Sequence, residues 1–310
     1  MDGLTDARIV PGTSLSATPI SIGTSFLGNP PGPQGEPAAE ANALAEALFD
    51  GPFAVIDTSN AYAEGRSETV LGGAVRRVGL PVGKAIVTKV DADPETGALD
   101  RDRVLRSFEE STARLGLERL PLLHLHDPYT IEVRDAFAPG GAVQGLHELR
   151  DQGLVGAVGI AAGPVSLMRR YAESGAFDVL LTHNRYTLVD RRAEELIAYA
   201  ADRGIGVFNA APFGGGILAG SGETYAYRQA GPGLLAWLAR ARELCTRWGV
   251  PLPAAALRYS LRHPGIASTV VGVGRPERLA QLAELQAPAV PEPFWPELAA
   301  LGTPPSTLED

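Results

Sequence analysis

The residues best suited to chemistry in this sequence of 310 residues stand at or just after the ends of short apolar segments. Asp57, Lys89 and His126 each end such a segment, and Tyr62 lies in the turn that follows Asp57. Each of them alone has a structural interpretation, as an Asx turn, an exposed lysine, a histidine bonded to backbone, or a packed tyrosine. At the ends of successive segments, however, the set is better explained as one site.

These four side chains suit proton transfer at a carbon–oxygen centre. A tyrosine hydroxyl has an ordinary pKa of about 10, which is too high for easy proton donation at neutral pH. A neighbouring ammonium stabilises the phenolate and is expected to lower that pKa. A carboxylate beside the lysine would hold it charged and in position. A histidine could orient a carbonyl oxygen or share its proton. The hydride must come from a cofactor, because no side chain supplies one.

An alternation of strand-like and helix-like segments would bring the four residues to one rim. A β-turn-β flap is predicted around 8–17, with Pro11-Gly12 at its turn. The strands are predicted at 20–24, 53–57, 85–89, 122–126, 157–161, 179–183, 206–210 and 268–271. The helices are predicted at 38–49, 67–78, 100–115, 141–152, 164–174, 192–202, 233–248, 253–262 and 276–285, followed by a Pro-rich tail from 288.

Eight such units predict an α/β fold of the closed (β/α)₈ TIM barrel type, as a single domain over residues 1–310. A doubly wound open sheet is the alternative, but no G-x-G-x-x-G motif follows the first strand. In a barrel the carboxyl ends of the strands carry the chemistry. Asp57, Lys89 and His126 would therefore face one another at that rim.

Composition and charge disfavour several classes of protein. The formal net charge is −9, and scattered basic residues give no footprint for nucleic acid. No apolar run approaches the roughly 20 residues of a membrane helix, and no signal-peptide pattern opens the sequence. Cys245 is the single cysteine, so neither an internal disulfide nor a thiolate metal cluster is expected. We expect a cytoplasmic protein without nucleic-acid or membrane partners, and the sequence leaves the oligomeric state open.

The motifs around the four residues resemble the aldo-keto reductase superfamily over nearly the whole chain. The matching motifs are Asp57-Thr58 with Tyr62, Gly65, Ser67-Glu68 and Leu71-Gly72; Thr88-Lys89; and Leu125-His126 with Pro128. The resemblance implies a (β/α)₈ barrel that binds NAD or NADP in extended form at the carboxyl ends of the strands. It also implies that Tyr62 is the general acid/base and that Asp57, Lys89 and His126 are its partners.

The second half of the chain is similar to one branch of that superfamily, the aldose dehydrogenases. The stretches that carry this similarity are 126–128, 177–191 and 209–220. The branch includes D-threo-aldose 1-dehydrogenase (L-fucose dehydrogenase) and L-galactose dehydrogenase. It implies oxidation of an aldose at its anomeric carbon to the lactone, with a generic aldehyde or ketone reductase as the alternative.

The candidate contacts of the cofactor follow from the same resemblance. Many relatives hold the nicotinamide carboxamide with a Ser-Asn pair, but this chain has Ala161-Ala162 there, so Asn184 and Asn209 are the candidates. Backbone at Gly23 and Thr24 would meet the nicotinamide side. The glycine run that includes Gly214 and Gly215 would let amides approach the pyrophosphate.

The last strand and helix supply a predicted anion site. Gly272 and Gly274 precede a helix at Pro276, whose N-terminus attracts negative charge. Arg278 stands where relatives bind phosphate, with Arg275 nearby, whereas Gly272 replaces a lysine common among NADP-using relatives. We therefore expect both cofactors to be used, with NAD at least comparable to NADP.

Two other classes of function remain as alternatives at this point. His124 and His126 form an H-x-H pattern that faces one side of a strand, as in metal-dependent barrel hydrolases, with His183 and Asp57 as further ligands. That interpretation leaves Tyr62 unexplained, and no metal is expected. The second alternative is a barrel that binds a nucleotide without turnover, although such a protein has no reason to keep all four reactive residues.

Overall fold

The computed structural model describes residues 6–30, 39–220, 222–305 and 308, and the elements below lie within those ranges. An antiparallel hairpin, β1 (Arg8–Ile9) and β2 (Ser16–Ala17), confirms the predicted flap. Gly12 turns it with a φ of 75°, close to the backbone oxygens of Asp178 and Gly204. Because these two residues precede barrel strands, the hairpin closes the N-terminal mouth of the barrel.

Eight parallel strands form the barrel, as the sequence predicted. They are β3 (Ile20–Gly23), β4 (Val55–Asp57), β5 (Ala85–Val90), β6 (Leu123–His126), β7 (Val158–Ala162), β8 (Val179–His183), β9 (Gly206–Ala210) and β12 (Ser268–Gly272). Each pairs with the next, and β12 pairs with both β9 and β3 to close the ring. A small hairpin, β10 (Thr224–Tyr225) and β11 (Arg228–Gln229), lies outside it.

The interior of the barrel is filled by alternate residues of the strands. Apolar residues that pack there with the flap are Val55, Val87, Leu122, Ala157, Ala161, Val179, Leu181, Phe208 and Val270. Successive side chains of a strand point to opposite faces. Counting on by two from Val55 and Val87 therefore brings Asp57 and Lys89 into the interior at the carboxyl rim.

The helices pack around this barrel. They are α1 (Ala39–Asp50), α2 (Arg66–Val78), α3 (Arg101–Leu115), α4 (Val133–Ala136), α5 (Ala142–Asp151), α6 (Val165–Glu173), α7 (Glu194–Ala201), α8 (Pro232–Trp248), α9 (Leu252–Leu261), α10 (Pro276–Gln286) and α11 (Phe294–Ala300). None of these described helices has the length and apolar character needed to cross a membrane.

Local sequence accounts for both ends of α3. The Asp100 side chain accepts a hydrogen bond from the backbone N–H of Arg103 and so caps α3. Gly116 ends the same helix with a φ of 70°, the left-handed geometry that glycine adopts without strain. The Pro-rich tail, for which no helix was predicted, contains α11, whose Phe294, Trp295 and Leu298 are buried. Proline content concealed this short apolar helix.

Candidate active site

Lys89 lies at the centre of the predicted constellation. Its ammonium donates to Asp57 Oδ2 at 2.8 Å, to the backbone oxygen of Thr58 at 2.6 Å and to the Tyr62 hydroxyl at 3.2 Å. Three donors thus meet three acceptors, which is the full capacity of a lysine. The Lys89 side chain is 1% exposed and that of Asp57 is 5% exposed, so the ion pair is shielded from water. The fourth residue, His126, meets the Tyr62 ring edge-on, with the centroids 5.7 Å apart.

The segment after β4 is bent sharply to present Tyr62. Ala63 and Glu64 adopt φ angles of 52° and 57°, which non-glycine residues rarely do. Such strain persists where the surrounding structure imposes it, as it commonly does at functional sites. Ser67 provides one such restraint, since its hydroxyl hydrogen-bonds the Thr58 hydroxyl at 2.8 Å and that of Thr24 at 2.9 Å.

Glu68 ties the same segment to the neighbouring elements. Its carboxylate accepts from the Thr88 hydroxyl at 2.6 Å and from Arg114 at 3.0 Å. Burial raises the pKa of Glu68, although the hydrogen bonds from Thr88, Ser111 and Arg114 act in the opposite direction. The Ser67-Glu68 motif therefore has a structural use here, which is to hold α2 and the Tyr62 loop against β5.

Burial and neighbouring charges set the protonation states of Lys89 and Tyr62. Burial raises the pKa of Tyr62 to about 12, and this outweighs the lowering by Lys89. Lys89 does lower the pKa of Tyr62, as the sequence analysis expected, but burial raises it by more, so the net shift is upward. Burial acts to lower the pKa of Lys89, yet Asp57 and Tyr62 together raise it above its ordinary value. At neutral pH the site thus holds an ammonium beside a protonated phenol.

Two residues that the sequence analysis missed support His126. Its Nδ1 lies 2.6 Å from Asp91 Oδ1 and 3.1 Å from the Ser59 hydroxyl. Ser59 also donates a short hydrogen bond to Asp91 Oδ2. Asp91 directly follows β5, so its place at the carboxyl end of a predicted strand was an available signal. Ser59, in the Tyr62 loop, carried no comparable signal.

His124 has a different environment from His126. It is fully buried, and neither ring nitrogen has a partner among the described residues. Burial, with Lys89 and His126 adding to it, holds the pKa of His124 well below its ordinary value. No group of three or more histidine, cysteine, aspartate or glutamate side chains within the described ranges is placed to hold a metal ion. The part of the chain that the structure describes thus offers no set of metal ligands for the hydrolase alternative.

A large cavity of about 1780 Å³ opens above the constellation, and it is lined at one end by polar groups. Asp57, Tyr62, Lys89 and His126 form its floor, and Asp127 and His183 lie beside them. Asp127 approaches both histidines, with its Oδ2 3.8 Å from His126 Nε2 and its Oδ1 3.9 Å from His183 Nε2. These separations exceed hydrogen-bonding distance, so among the described residues Asp127 does not bond either Nε2 atom.

Six of the ten candidate cofactor contacts line this cavity. They are Gly23, Gly215, Gly272, Gly274, Arg275 and Arg278. The Cβ of any residue at position 272 would meet no atom within 4 Å, so the backbone there is open to the cavity. Pro276 starts α10 at this end, and Gly274 and the two arginines surround its N-terminus. Open backbone, a helix N-terminus and two cations are the features that hold a phosphate group, so the residues present fit a dinucleotide.

The other four candidates lie away from the cavity lining. Thr24 is buried and donates to the backbone oxygen of Asp57. Asn209 is buried and donates to the Tyr186 backbone oxygen and to Ser260. Asn184 is buried with its amide 3.1 Å from His183 Nδ1, and Gly214 packs against the Tyr225 ring. On that side His183 reaches the cavity in place of the two asparagines.

Comparison with known proteins agrees with this geometry. The chain is 31% identical to D-threo-aldose 1-dehydrogenase of Pseudomonas sp, over 84% of this chain and 87% of that protein. It is 29% identical to pyridoxal 4-dehydrogenase of Microbacterium luteolum, covering 96% and 97% of the two chains, and 28% identical to L-galactose dehydrogenase of Arabidopsis thaliana, covering 98% and 96%.

A solved structure supports the fold. The holo form of an aldo-keto reductase from Bacillus halodurans superposes with a TM-score of 0.77 at 19% identity, covering 96% of each chain. Residues 19–301 match the model of the aldo/keto reductase family, which spans the barrel and its surrounding helices. With Tyr62, Lys89, Asp57 and His126 gathered at the carboxyl rim, the chain belongs to the aldo/keto reductase family and is an NAD(P)-dependent oxidoreductase.

Proposed function

We propose that the protein oxidises an aldose at its anomeric carbon to the lactone, with Tyr62 as the general acid/base. The observation that carries this proposal is the Tyr62 hydroxyl, 3.2 Å from the Lys89 ammonium on the floor of the cavity. The 31% identity to D-threo-aldose 1-dehydrogenase supports the choice of substrate class. A generic aldehyde or ketone reductase of the same family is the alternative.

Each residue of the constellation has a task in this reaction. Tyr62 exchanges a proton with the sugar oxygen, and Lys89 stabilises the charge that develops on the phenol oxygen. Asp57 keeps Lys89 charged and fixed. His126 and His183 present ring nitrogens to the cavity, where sugar hydroxyls would bind. A nicotinamide cofactor bound in the cavity would supply the acceptor for the hydride of the anomeric carbon.

The anion-binding end of the cavity supports the use of both cofactors. Arg275 and Arg278 are exposed cations that could meet a ribose 2′-phosphate. Gly272 adds no charge, and Glu284, which also lines this end, would repel a phosphate. We therefore propose that NAD is used at least as well as NADP.

Pyridoxal is a second candidate substrate, because pyridoxal 4-dehydrogenase matches the chain over 96% of its length. Like an aldose, pyridoxal carries an aldehyde and a hydroxyl that can close into a cyclic hemiacetal. Oxidation of such a hemiacetal also gives a lactone, so the same residues could act on both substrates. The two differ in that only pyridoxal has an aromatic ring.

A spectrophotometric screen at the nicotinamide absorbance tests the proposal. Purified protein is assayed with NAD and with NADP against L-fucose, L-galactose, other aldoses, pyridoxal and non-sugar aldehydes, with Tyr62→Phe as the control for background. We expect oxidation of at least one aldose and its loss in the control. Activity confined to non-sugar aldehydes would replace this proposal with the generic reductase, and activity confined to pyridoxal would select the second candidate.

A further inference from the structure

The Nδ1 atom of His126 is held by an aspartate that the proposed reaction has not yet used. The distance from Nδ1 to Asp91 Oδ1 is 2.6 Å, which is short for a nitrogen–oxygen hydrogen bond and typical of a charged partner. The side chains of His126 and Asp91 are 14% and 13% exposed, so water competes little for this contact.

Asp91 itself is fixed as an acceptor. Its Oδ2 accepts from the backbone N–H of Ala61 at 3.0 Å and from the Ser59 hydroxyl. Burial acts to raise the pKa of Asp91, but His126 and these donors lower it below its ordinary value. Asp91 is therefore a carboxylate at neutral pH, and a carboxylate can only accept hydrogen bonds.

An acceptor at Nδ1 determines where the proton of a neutral imidazole sits. Nδ1 must carry the hydrogen, and Nε2 is then left with a lone pair. We propose that Asp91 is a positioning residue that holds His126 in its Nδ1–H tautomer, so that Nε2 accepts the proton released in oxidation. This inference rests on the proposed function for the reaction, although the tautomer can be tested without it.

Other ionisable groups also face His126, and none of them is hydrogen-bonded to Nε2. Among the described residues, the carboxylate of Asp127 approaches Nε2, with its Oδ2 at 3.8 Å, beyond hydrogen-bonding distance. Tyr62 contacts the ring, and Lys89 adjoins Tyr62. His124 lies two residues earlier on the same strand and is neutral, and His183 lies on the far side of Asp127.

The proton balance explains why a second acceptor is useful. Tyr62, with a pKa of about 12, is a protonated phenol at neutral pH and can take a proton only as it gives one up. In oxidation the sugar O–H bond breaks and its proton joins the phenol oxygen, while the phenol proton passes to Nε2. The C1–H electron pair leaves with hydrogen to the oxidised nicotinamide, and the C1=O bond forms.

The isosteric variant Asp91→Asn provides a sharp test. The backbone N–H of Ala61 is a fixed donor, so it requires the amide oxygen of the new side chain at the Oδ2 position. The amide NH₂ then occupies the Oδ1 position and faces Nδ1 of His126. A donor at that place forces Nδ1 to accept, and the imidazole must move its hydrogen to Nε2. The matched control is Asp93→Asn, which changes a partly exposed carboxylate on the same loop, whose Oδ1 accepts from Thr96 and can still do so as an amide oxygen.

The tautomer can be read by ¹⁵N NMR of protein labelled at its five histidines, at pH 8 without substrate. His126→Gln assigns the signals. We expect a protonated Nδ1 and a bare Nε2 at His126 in the wild type and in Asp93→Asn, and the reverse in Asp91→Asn. A wild-type His126 with hydrogen on Nε2, alone or on both nitrogens, would overturn the proposal, as would an Asp91→Asn protein with the wild-type pattern.

Kinetics supply the second measurement on whichever substrate the screen identifies. We expect kcat for oxidation to fall about 10²-fold in Asp91→Asn, within the range of positioned acid/base catalysis, and to stay within about twofold in Asp93→Asn. An unchanged kcat in a protein whose tautomer has reversed would refute proton acceptance by Nε2. If the screen finds no aldose oxidation, the proposed function fails, whereas the NMR result still decides the role of Asp91.

Discussion

The buried pair of Asp57 and Lys89 allows a quantitative prediction about stability. We consider three variants, Asp57→Asn, Lys89→Met and the double substitution, each of which keeps the side-chain volume nearly constant. Asp57→Asn leaves an ammonium at 1% exposure with no compensating charge. Lys89→Met leaves a carboxylate whose Oδ1 already lacks a hydrogen-bond partner within the described structure. The double variant removes both charges and leaves no buried ion.

The expected magnitudes follow from this burial. Removing one partner of a buried ion pair costs about 3–5 kcal/mol, because an uncompensated charge stays in a medium of low polarity. Each single variant should lose that much free energy of unfolding. The double variant should lose much less than the sum, since replacing both charges is often nearly neutral. The two single losses sum to about 6–10 kcal/mol, so a nearly neutral double variant gives a coupling energy of at least about 5 kcal/mol between the two positions.

The assay is urea unfolding at pH 7, followed by circular dichroism, with the denaturant slope compared among all variants. An exposed pair serves as the control. Arg77 lies 2.8 Å from Glu46 at exposures of 44% and 45%, and such a pair is worth about 0–1 kcal/mol. The cycle Arg77→Met with Glu46→Gln should therefore give little coupling. A coupling between Asp57 and Lys89 as small as that of the control would refute the reasoning from burial.

Three further outcomes are expected. Tyr62→Phe should lower kcat by about 10²–10⁴-fold and leave cofactor binding, measured by fluorescence quenching, nearly unchanged; an unaffected kcat would mean that another group carries the proton. Gly272→Lys should raise kcat/KM for NADP relative to NAD by about tenfold, because position 272 is open and a lysine adds a cation there. The control variant Val82→Lys, which places the same charge on the exposed surface, should leave that ratio unchanged. His124 stays neutral in the folded protein but gains a proton in the unfolded chain below its ordinary pKa of 6.5, so the free energy of unfolding falls as the pH drops. Urea unfolding at pH 7.5 and at pH 5.5 measures this fall, which should be about 1 kcal/mol smaller in His124→Leu than in the wild type. Equal falls in the two proteins would contradict the low pKa of His124.

Local patterns in the sequence were sufficient to predict the barrel and the catalytic rim. The predicted strands are short apolar runs, such as 53–56 and 85–87, which is typical of strands buried on both faces. Eight strands of that kind, each followed by a helix, can bury their surfaces by closing a barrel. The carboxyl ends of parallel strands then share one rim, which is why Asp57, Lys89 and His126 could be assigned to one site.

Side chains alternate along a strand, and this alternation turns Asn209 away from the cavity, although the sequence analysis gave it as a candidate contact of the nicotinamide. Phe208 is an inward residue, so its neighbour Asn209 points outward, where it meets Tyr186 and Ser260. Asn184 is different, because it follows the strand β8 and takes a φ of 58°. Its direction depends on that turn, which is set by packing and not by alternation.

Tertiary structure alone decided the electrostatics of the site. The net pKa shift of Tyr62 is the balance between burial and the Lys89 charge, and neither burial nor distance can be read from spacing along the chain. Asp91 and His126 are 35 residues apart, yet their side chains meet at 2.6 Å because adjacent strands end side by side. Sequence thus determined which reactive groups share the rim. Only the packed barrel determined which atoms touch, and hence which nitrogen of His126 meets Asp91.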